Sequence, residues 1–266
     1  MGLIPITKME RFAFGKNWRS FSERLQPEDY LKAKESLEKL IPNLQGKTFL
    51  DVGSGSGMFS IAASALGARK VLGLDVDPEA VSTSKELIEK ISQWDLDVKK
   101  DAIDFKVESI LNKGLGPQQY DVVYSWGVLH HTGDMYKAFD VVKDLVAEKG
   151  NLIIAIYNKH LTSPVWKMIK YTYVKSPKFI KTIMVFTILV IKFFTALIIL
   201  RQNPLKRRRG MRYYTDIVDW VGGYPYEYAS VSEVIDFFQA RGFRLTKLIK
   251  TKGFTGCNEF VFEKVS

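Results

Sequence analysis

The chain has 266 residues, 46% of them hydrophobic, and a formal net charge of +10. That length buries a sizeable core within one domain. A single cysteine, Cys257, excludes an internal disulfide and suits a reducing compartment; three histidines, His130, His131 and His160, are too few and too poorly spaced for a metal centre.

Met1 to Arg11 has no apolar stretch of the length a secretory leader needs, which points to the cytoplasm. Phe12 to Trp18 is aromatic-rich, with one glycine at Gly15. A helix follows, with Pro27 at its first position, Glu28 and Asp29 in the first turn, and Leu31, Lys34, Leu37 and Ile41 on one side. By composition this is a packing arm.

Thr48 to Val52 is an apolar run entering a turn with three glycines, Gly53, Gly55 and Gly57. An Ala-rich segment, Met58 to Leu66, comes next. Strand, tight turn and helix open a nucleotide-type βαβ unit. Glycine is needed where a backbone turns sharply and where a ligand approaches main-chain N–H groups with no Cβ between. A dinucleotide fingerprint would place its third glycine at position 58, which is Met58. Asp51, two residues ahead of the turn, would repel a pyrophosphate and suits a ligand carrying an ammonium. The loop alone leaves an ordinary glycine turn and an NAD site as alternatives.

Val71 to Asp75 is a second strand that ends in a carboxylate 22 residues after Gly53, placed for ribose hydroxyls. Val76 could pack on an adenine. Asp77 caps a helix with Pro78 at its first position, running from Ala80 to Trp94. Ile103 to Val107 is a third strand, ending at Glu108 and Ser109, and Tyr120 to Trp126 is a fourth. A helix is expected over Tyr136 to Ala147 and a fifth strand over Asn151 to Tyr157, launched by Lys149 and Gly150. A helix at Val231 to Ala240 and strands at Gly242 to Ile249 and Glu259 to Val265 close the pattern. Seven strands with interleaved helices make an α/β fold with a doubly wound sheet.

The D-x-G-x-G-x-G pattern at Asp51 to Gly57 resembles motif I of the class I S-adenosylmethionine-dependent methyltransferases. With F-x-F-G-x-N-W, Y-S-W-G-V-L-H-H-T-G, I-A-I-Y-N and D-W-V-G-G-Y-P-Y-E, the chain is similar to bacterial methylases related to the quinone-biosynthesis methyltransferases. The likeness covers nearly the whole chain except residues 160–210. It implies a mostly parallel, Rossmann-like sheet of order 3-2-1-4-5-7-6 with the last strand antiparallel, and S-adenosyl-L-methionine as cofactor. The expected cofactor residues are Asp51, Gly53, Ser54, Gly55, Asp75, Val76, Glu108, Ser109, Ser125 and Trp126. By the resemblance, Phe14, Asn17 and Trp18 close over the methionine end.

Ser125 to Thr132 lies where α/β sheets bind ligands, at the carboxyl end of the fourth strand. His131, and behind it His130, are the candidate catalytic bases, because imidazole has the right unperturbed pKa. Helix caps or loop packing are their plain alternative. Asp219 to Glu227, with Gly222-Gly223-Tyr224-Pro225-Tyr226, is a loop of fixed shape. Tyr157, Tyr214, Tyr224 and Tyr226 are the candidate substrate contacts.

Between Lys159 and Arg212 stand 13 Lys or Arg and no Asp or Glu; outside this window 26 basic residues face 29 acidic ones. Within it Phe179 to Leu200 is almost continuously apolar, and Lys206 to Arg209 closes it. About 20 residues can span a bilayer, but one crossing here would put two halves of one sheet on opposite sides. A membrane-surface or re-entrant element and a helical cap or homodimer interface therefore remain. The cations are interleaved with aliphatics and no RNA-binding module is visible, which argues against nucleic acid.

The expected organisation is an N-terminal helical arm or lid (1–45), a cofactor-binding core (46–158), a helical basic and apolar insertion (159–212) and a C-terminal part of the core (213–266). The expected activity is methyl transfer to a small-molecule or lipid-like acceptor, in the cytoplasm or peripherally on a membrane. A non-catalytic cofactor-binding scaffold and an RNA methyltransferase are the alternatives.

Overall fold

A computed structural model describes residues 14–41, 43–112, 118–199, 201, 213–251 and 256–265. Met1 to Arg11, Phe12, the Lys206 to Arg209 cluster and Arg212 lie outside the described residues, as do the side chains of Phe14, Tyr214 and Asp219.

Seven strands form one sheet: β1 (Thr48–Val52), β2 (Lys70–Asp75), β3 (Ile103–Val107), β4 (Tyr120–Trp126), β5 (Val146–Tyr157), β6 (Phe243–Ile249) and β7 (Cys257–Lys264). Their order is β3-β2-β1-β4-β5-β7-β6, and β7 runs antiparallel to both its neighbours. Strand order, class and the antiparallel strand are those the resemblance implies.

All five residues of β1 are buried, as befits a central parallel strand covered on both faces. Phe49 points into one core with α2 (Pro27–Leu40), α3 (Met58–Ala65) and α4 (Pro78–Ile91). Leu50 and Val52 point into the other, with α5 (Met135–Asp144) and α9 (Val231–Gln239). Phe105 of β3 fills space that two glycines leave open. A Cβ on Gly73 would lie 2.4 Å from its ring, and one on Gly57 2.6 Å.

Two elements differ from the sequence pattern. The helix expected to reach Ala147 stops at Asp144, and β5 begins at Val146 instead of Asn151. The apolar run at Leu145 and Val146 suits either state. Pairing decides it: Val146 lies opposite Tyr120, whose N–H donates to the Leu145 carbonyl at 2.8 Å. The turn at Lys149 and Gly150 then sits inside β5, with Lys149 at φ 60°. Likewise α4 ends at Ile91, and a turn with Trp94 N–H on the Ile91 carbonyl folds Trp94 back onto the core.

Between β5 and β6 the chain forms α6 (Ser163–Lys175), α7 (Lys178–Phe194), a π turn over Thr195–Ile199, and α8 (Tyr213–Gly222) before α9. These build a satellite core in which Ile217 and Val221 of α8 pack on Tyr173 of α6 and on Val185 and Ile188 of α7. Preceding the sheet, α1 (Phe14–Glu23) lies on α4 and also touches α8.

Asp51 is the one acid in β1 and is 2% exposed. Ser60 of α3 donates to its carboxylate at 2.6 Å. Burial pushes its pKa up to about 7, the Ser60 bond opposing and the Asp75 charge adding. Folded Asp51 therefore binds its proton more tightly than unfolded Asp51. Its contribution to stability is complete below about pH 4 and is lost as the pH rises to about 7. For Asp51→Asn, urea unfolding should lack a fall of about 4 kcal/mol that this group adds to the wild-type curve between those limits. Parallel pH curves for the two proteins would sink the assignment.

Candidate active site

The carboxyl ends of β1, β2, β4 and β5 share one edge of the sheet. After β1, Gly53, Gly55 and Gly57 take φ of 76°, 56° and 78°, left-handed values that glycine adopts at little cost. The N–H groups of Gly53 and Ser54 donate to the Leu74 carbonyl at 2.7 and 2.9 Å, which folds the loop over the end of β2. There the Asp75 carboxylate accepts from Gly55 N–H and Asp77 N–H, both at 2.9 Å. Burial raises the Asp75 pKa against the pull of these bonds.

Asp77 carries the arrangement onward. Its carboxylate caps α4 by accepting from Glu79 N–H at 2.9 Å and, with the other oxygen, accepts from Gly15 N–H of α1 at 2.9 Å. Arg19 then clasps α1 to α4 through Glu79 at 3.4 Å and Glu86 at 3.2 Å. This seats Trp18 directly on the loop, where a Cβ on Gly55 would come within 2.7 Å of the indole. On the other flank, a Cβ on Gly53 would meet Val128 at 2.4 Å.

The geometry suits a nucleoside-bearing ligand. The loop has no Cβ to spare, a carboxylate closes the second strand, and Val76 beside it is 51% exposed. The buried Ser54 hydroxyl has no hydrogen-bond partner among the described residues. Other predicted residues serve the frame around it. The Ser125 hydroxyl donates to the Val52 carbonyl at 3.0 Å, tying β4 to β1 beneath the loop. Trp126 packs on the core. The Glu108 N–H donates to the Asp75 carbonyl at 2.9 Å, while its carboxylate accepts from Ser109 N–H at 3.0 Å. Asn17 is half-buried on α1.

A second cluster occupies the β4 and β5 ends. A short 3-10 turn, Leu129–His131, carries both histidines. His130 is fully buried, accepts from Tyr157 N–H at Nδ1 (3.3 Å), and lies 4.0 Å from the Tyr157 ring. Its Nε2 has no partner among the described residues. His131 Nδ1 is 2.6 Å from the Pro225 carbonyl, which can only accept, so Nδ1 carries the hydrogen and Nε2 the lone pair. Burial, and then the nearby Lys170 ammonium, hold the His131 pKa down to about 3 against the Pro225 bond. Burial likewise drives His130 well below its usual range, with His131 and Lys170 adding. Both rings are neutral at physiological pH.

Tyr226 faces Tyr157 at 4.9 Å, and burial pushes its hydroxyl pKa up to about 12. The Glu227 N–H donates to the His130 carbonyl at 2.9 Å, and its carboxylate accepts from Met135 N–H at 3.2 Å. So His130, His131, Tyr157 and Tyr226 meet in one place. Tyr224 instead packs on Tyr171 at 5.4 Å, outside that cluster.

Lys170, beside Trp220 and Tyr226, escapes the sequence reading, and Trp220 and Glu227 stood in it only as part of the Asp219 to Glu227 loop. Lys170 reads as one more cation of a basic insertion, yet it is fully buried. One signal was available: Trp166, Lys170 and Tyr173 recur at helical spacing and so share the inward face of α6. Among the described residues there is no group of three side chains able to hold a metal.

The family described as "Methyltransferase domain" matches residues 23–254. Ribosomal protein L11 methyltransferase of Mannheimia succiniciproducens is 32% identical over 110 residues, which are 41% of this chain and 33% of that protein. The protein of the same name from Vibrio campbellii is 50% identical over 56 residues, 21% of this chain and 18% of its own length. The matches thus span at most a third of those relatives. Among solved structures, magnesium protoporphyrin IX methyltransferase from Synechocystis PCC 6803 with bound SAH shares the fold at a TM-score of 0.56 and 15% identity, over 94% of this chain and 93% of that one. A putative S-adenosylmethionine-dependent methyltransferase from Listeria monocytogenes does so at 0.55 and 16%, over 88% and 98%. The chain belongs to the methyltransferase-domain family and has the fold of solved S-adenosylmethionine-dependent methyltransferases.

Proposed function

We propose that this chain transfers a methyl group from S-adenosylmethionine to a small or lipid-like acceptor held against His131, Tyr157 and Tyr226. The supporting observation is adjacency: the glycine loop with Asp75 and the aromatic, histidine-bearing cluster occupy neighbouring strand ends of one sheet edge. The cofactor supplies an electrophilic methyl group on a sulfonium. The chain supplies alignment, exclusion of water, and a proton acceptor where the acceptor must lose one. His131 suits that last task, because its Nδ1–H is tied to Pro225 and Nε2 keeps its lone pair. Asp51, Gly53, Ser54, Gly55, Asp75 and Val76 would hold the cofactor, and Trp18 would close over it. Phe14 and Tyr214 keep their assigned roles as proposals from sequence.

The insertion supports a lipid surface as the place of action. On α7, Val185 and Ile188 turn inward, while Phe179, Ile183, Phe186 and Phe194 are 65%, 59%, 66% and 52% exposed. On α6, Met168 is 63% exposed. No helix among the described residues is long and apolar enough to cross a membrane, so the face would lie in the interface. Lys167, Lys175, Lys178 and Arg201 are exposed around it, with no acid between residues 159 and 212. Self-pairing through such a face would set cation against cation. An anionic headgroup layer attracts each cation by about 1 kcal/mol near the surface.

Three measurements test these readings. Trp18→Ala should weaken S-adenosylmethionine binding about tenfold or more by calorimetry, the order of one lost indole contact; unchanged affinity refutes the closing role. Radiolabelled methyl transfer to cell extract should label the lipid or small-molecule fraction. Label confined to RNA or protein overturns the acceptor class. Vesicles of phosphatidylglycerol should co-sediment the protein at low salt, and Phe179→Ser with Phe186→Ser should abolish this. Binding to neither anionic nor neutral vesicles, with dimers in equilibrium sedimentation, removes the membrane face.

A further inference from the structure

Lys170 is the one buried lysine among the described residues, at 0% exposure. A cation in that position is costly unless its surroundings replace water. Three rings surround it: its Nζ lies 4.7 Å from the centroid of Trp220, 5.0 Å from Tyr226 and 5.4 Å from Tyr157. Such faces attract a desolvated ammonium through the ring quadrupole. The same Tyr157 ring lies 4.0 Å from His130 and 5.4 Å edge-on from His131. The lysine comes from α6, Trp220 from α8, Tyr226 from the loop after α8, and Tyr157 from the end of β5. One ammonium therefore joins the insertion to the histidine-bearing edge of the sheet.

We propose that Lys170 is the positioning residue of the histidine pair. Its ammonium gathers Tyr157, Trp220 and Tyr226 against the imidazoles and keeps His131 free of a proton until an acceptor supplies one. Docking of the insertion thereby completes the reaction edge. This rests on the reading of the His131, Tyr157 and Tyr226 cluster as the acceptor side.

Among the described residues these groups face the pair or its rings, and Lys192 of α7 stands 3.7 Å from the Trp220 centroid. Lys170 comes from α6, Tyr157 from β5, and Tyr226 and Glu227 from the loop after α8, with the Glu227 carboxylate turned to Met135 N–H. The Lys170 charge acts on both rings in the same direction as burial. A cation within reach of an imidazole disfavours a second positive charge there.

The test reads that titration directly. The chain has three histidines, so NMR of the labelled imidazoles is assignable with His130→Gln and His160→Gln variants. In the wild type, His131 should stay neutral down to about pH 5. Lys170→Met, with wild-type circular dichroism and S-adenosylmethionine affinity, should raise its midpoint by about one pH unit or more. Lys170→Gln serves in its place if the methionine variant does not fold. Lys170→Arg should restore the wild-type curve. An unchanged midpoint in the neutral variants overturns the proposal, as does an arginine variant that shifts as far as they do. Methyl transfer is not the readout, so a wrong acceptor assignment and a wrong role for Lys170 give different results.

Discussion

The Asp75 carboxylate is the point from which the glycine-loop edge is organised. One oxygen takes Gly55 N–H and the other Asp77 N–H, so a single group ties the glycine loop to the start of α4. Asp77 is thereby set to cap α4 and to receive Gly15 N–H, which brings α1 and Trp18 onto the loop. Each bond of this relay orients the next donor. The N-terminal arm is thus held by the same acids that a ribose-bearing ligand would approach. Desolvation opposes keeping Asp75 charged there, and two backbone donors offset it.

The histidine-bearing side follows a different logic. Rings and one buried lysine join the hydrogen bonds that hold its histidines. His130 and His131 sit on a turn after β4, and the Pro225 carbonyl and the Glu227 N–H reach them from a loop more than 90 residues later. Tyr157, Trp220 and Tyr226 enclose Lys170 from three separate elements. Neutral imidazoles beside an ammonium make a site that accepts a proton reluctantly. This suits an acceptor whose own acidity, or whose attack on a sulfonium, drives the proton off.

Legibility was uneven along the chain. The unit from Thr48 to Asp75 was readable because its requirements are local: positive φ at three glycines, an apolar strand, and an acid at the next strand end. The histidine pair was readable as placement, since the end of β4 abuts the switch point. The start of β5 was not, because Leu145 and Val146 satisfy helix and strand equally and only the partner Tyr120 decides. Tyr224 was named beside Tyr226, yet the two lie on different sides of their loop. One packs on Tyr171 and the other on Tyr157.

By itself the sequence determined the fold class, the glycine loop with its flanking acids, and the concentration of positive charge in one insertion. These depend on residue type, spacing and short-range backbone geometry. The tertiary structure decided which way the insertion's side chains face. Lys170 turns inward to the rings while Phe179 and Phe186 turn out, although all three stand in the same acid-free stretch. It also decided the protonation of the histidines, because burial and a neighbouring charge set an imidazole pKa, and both are properties of the assembled chain.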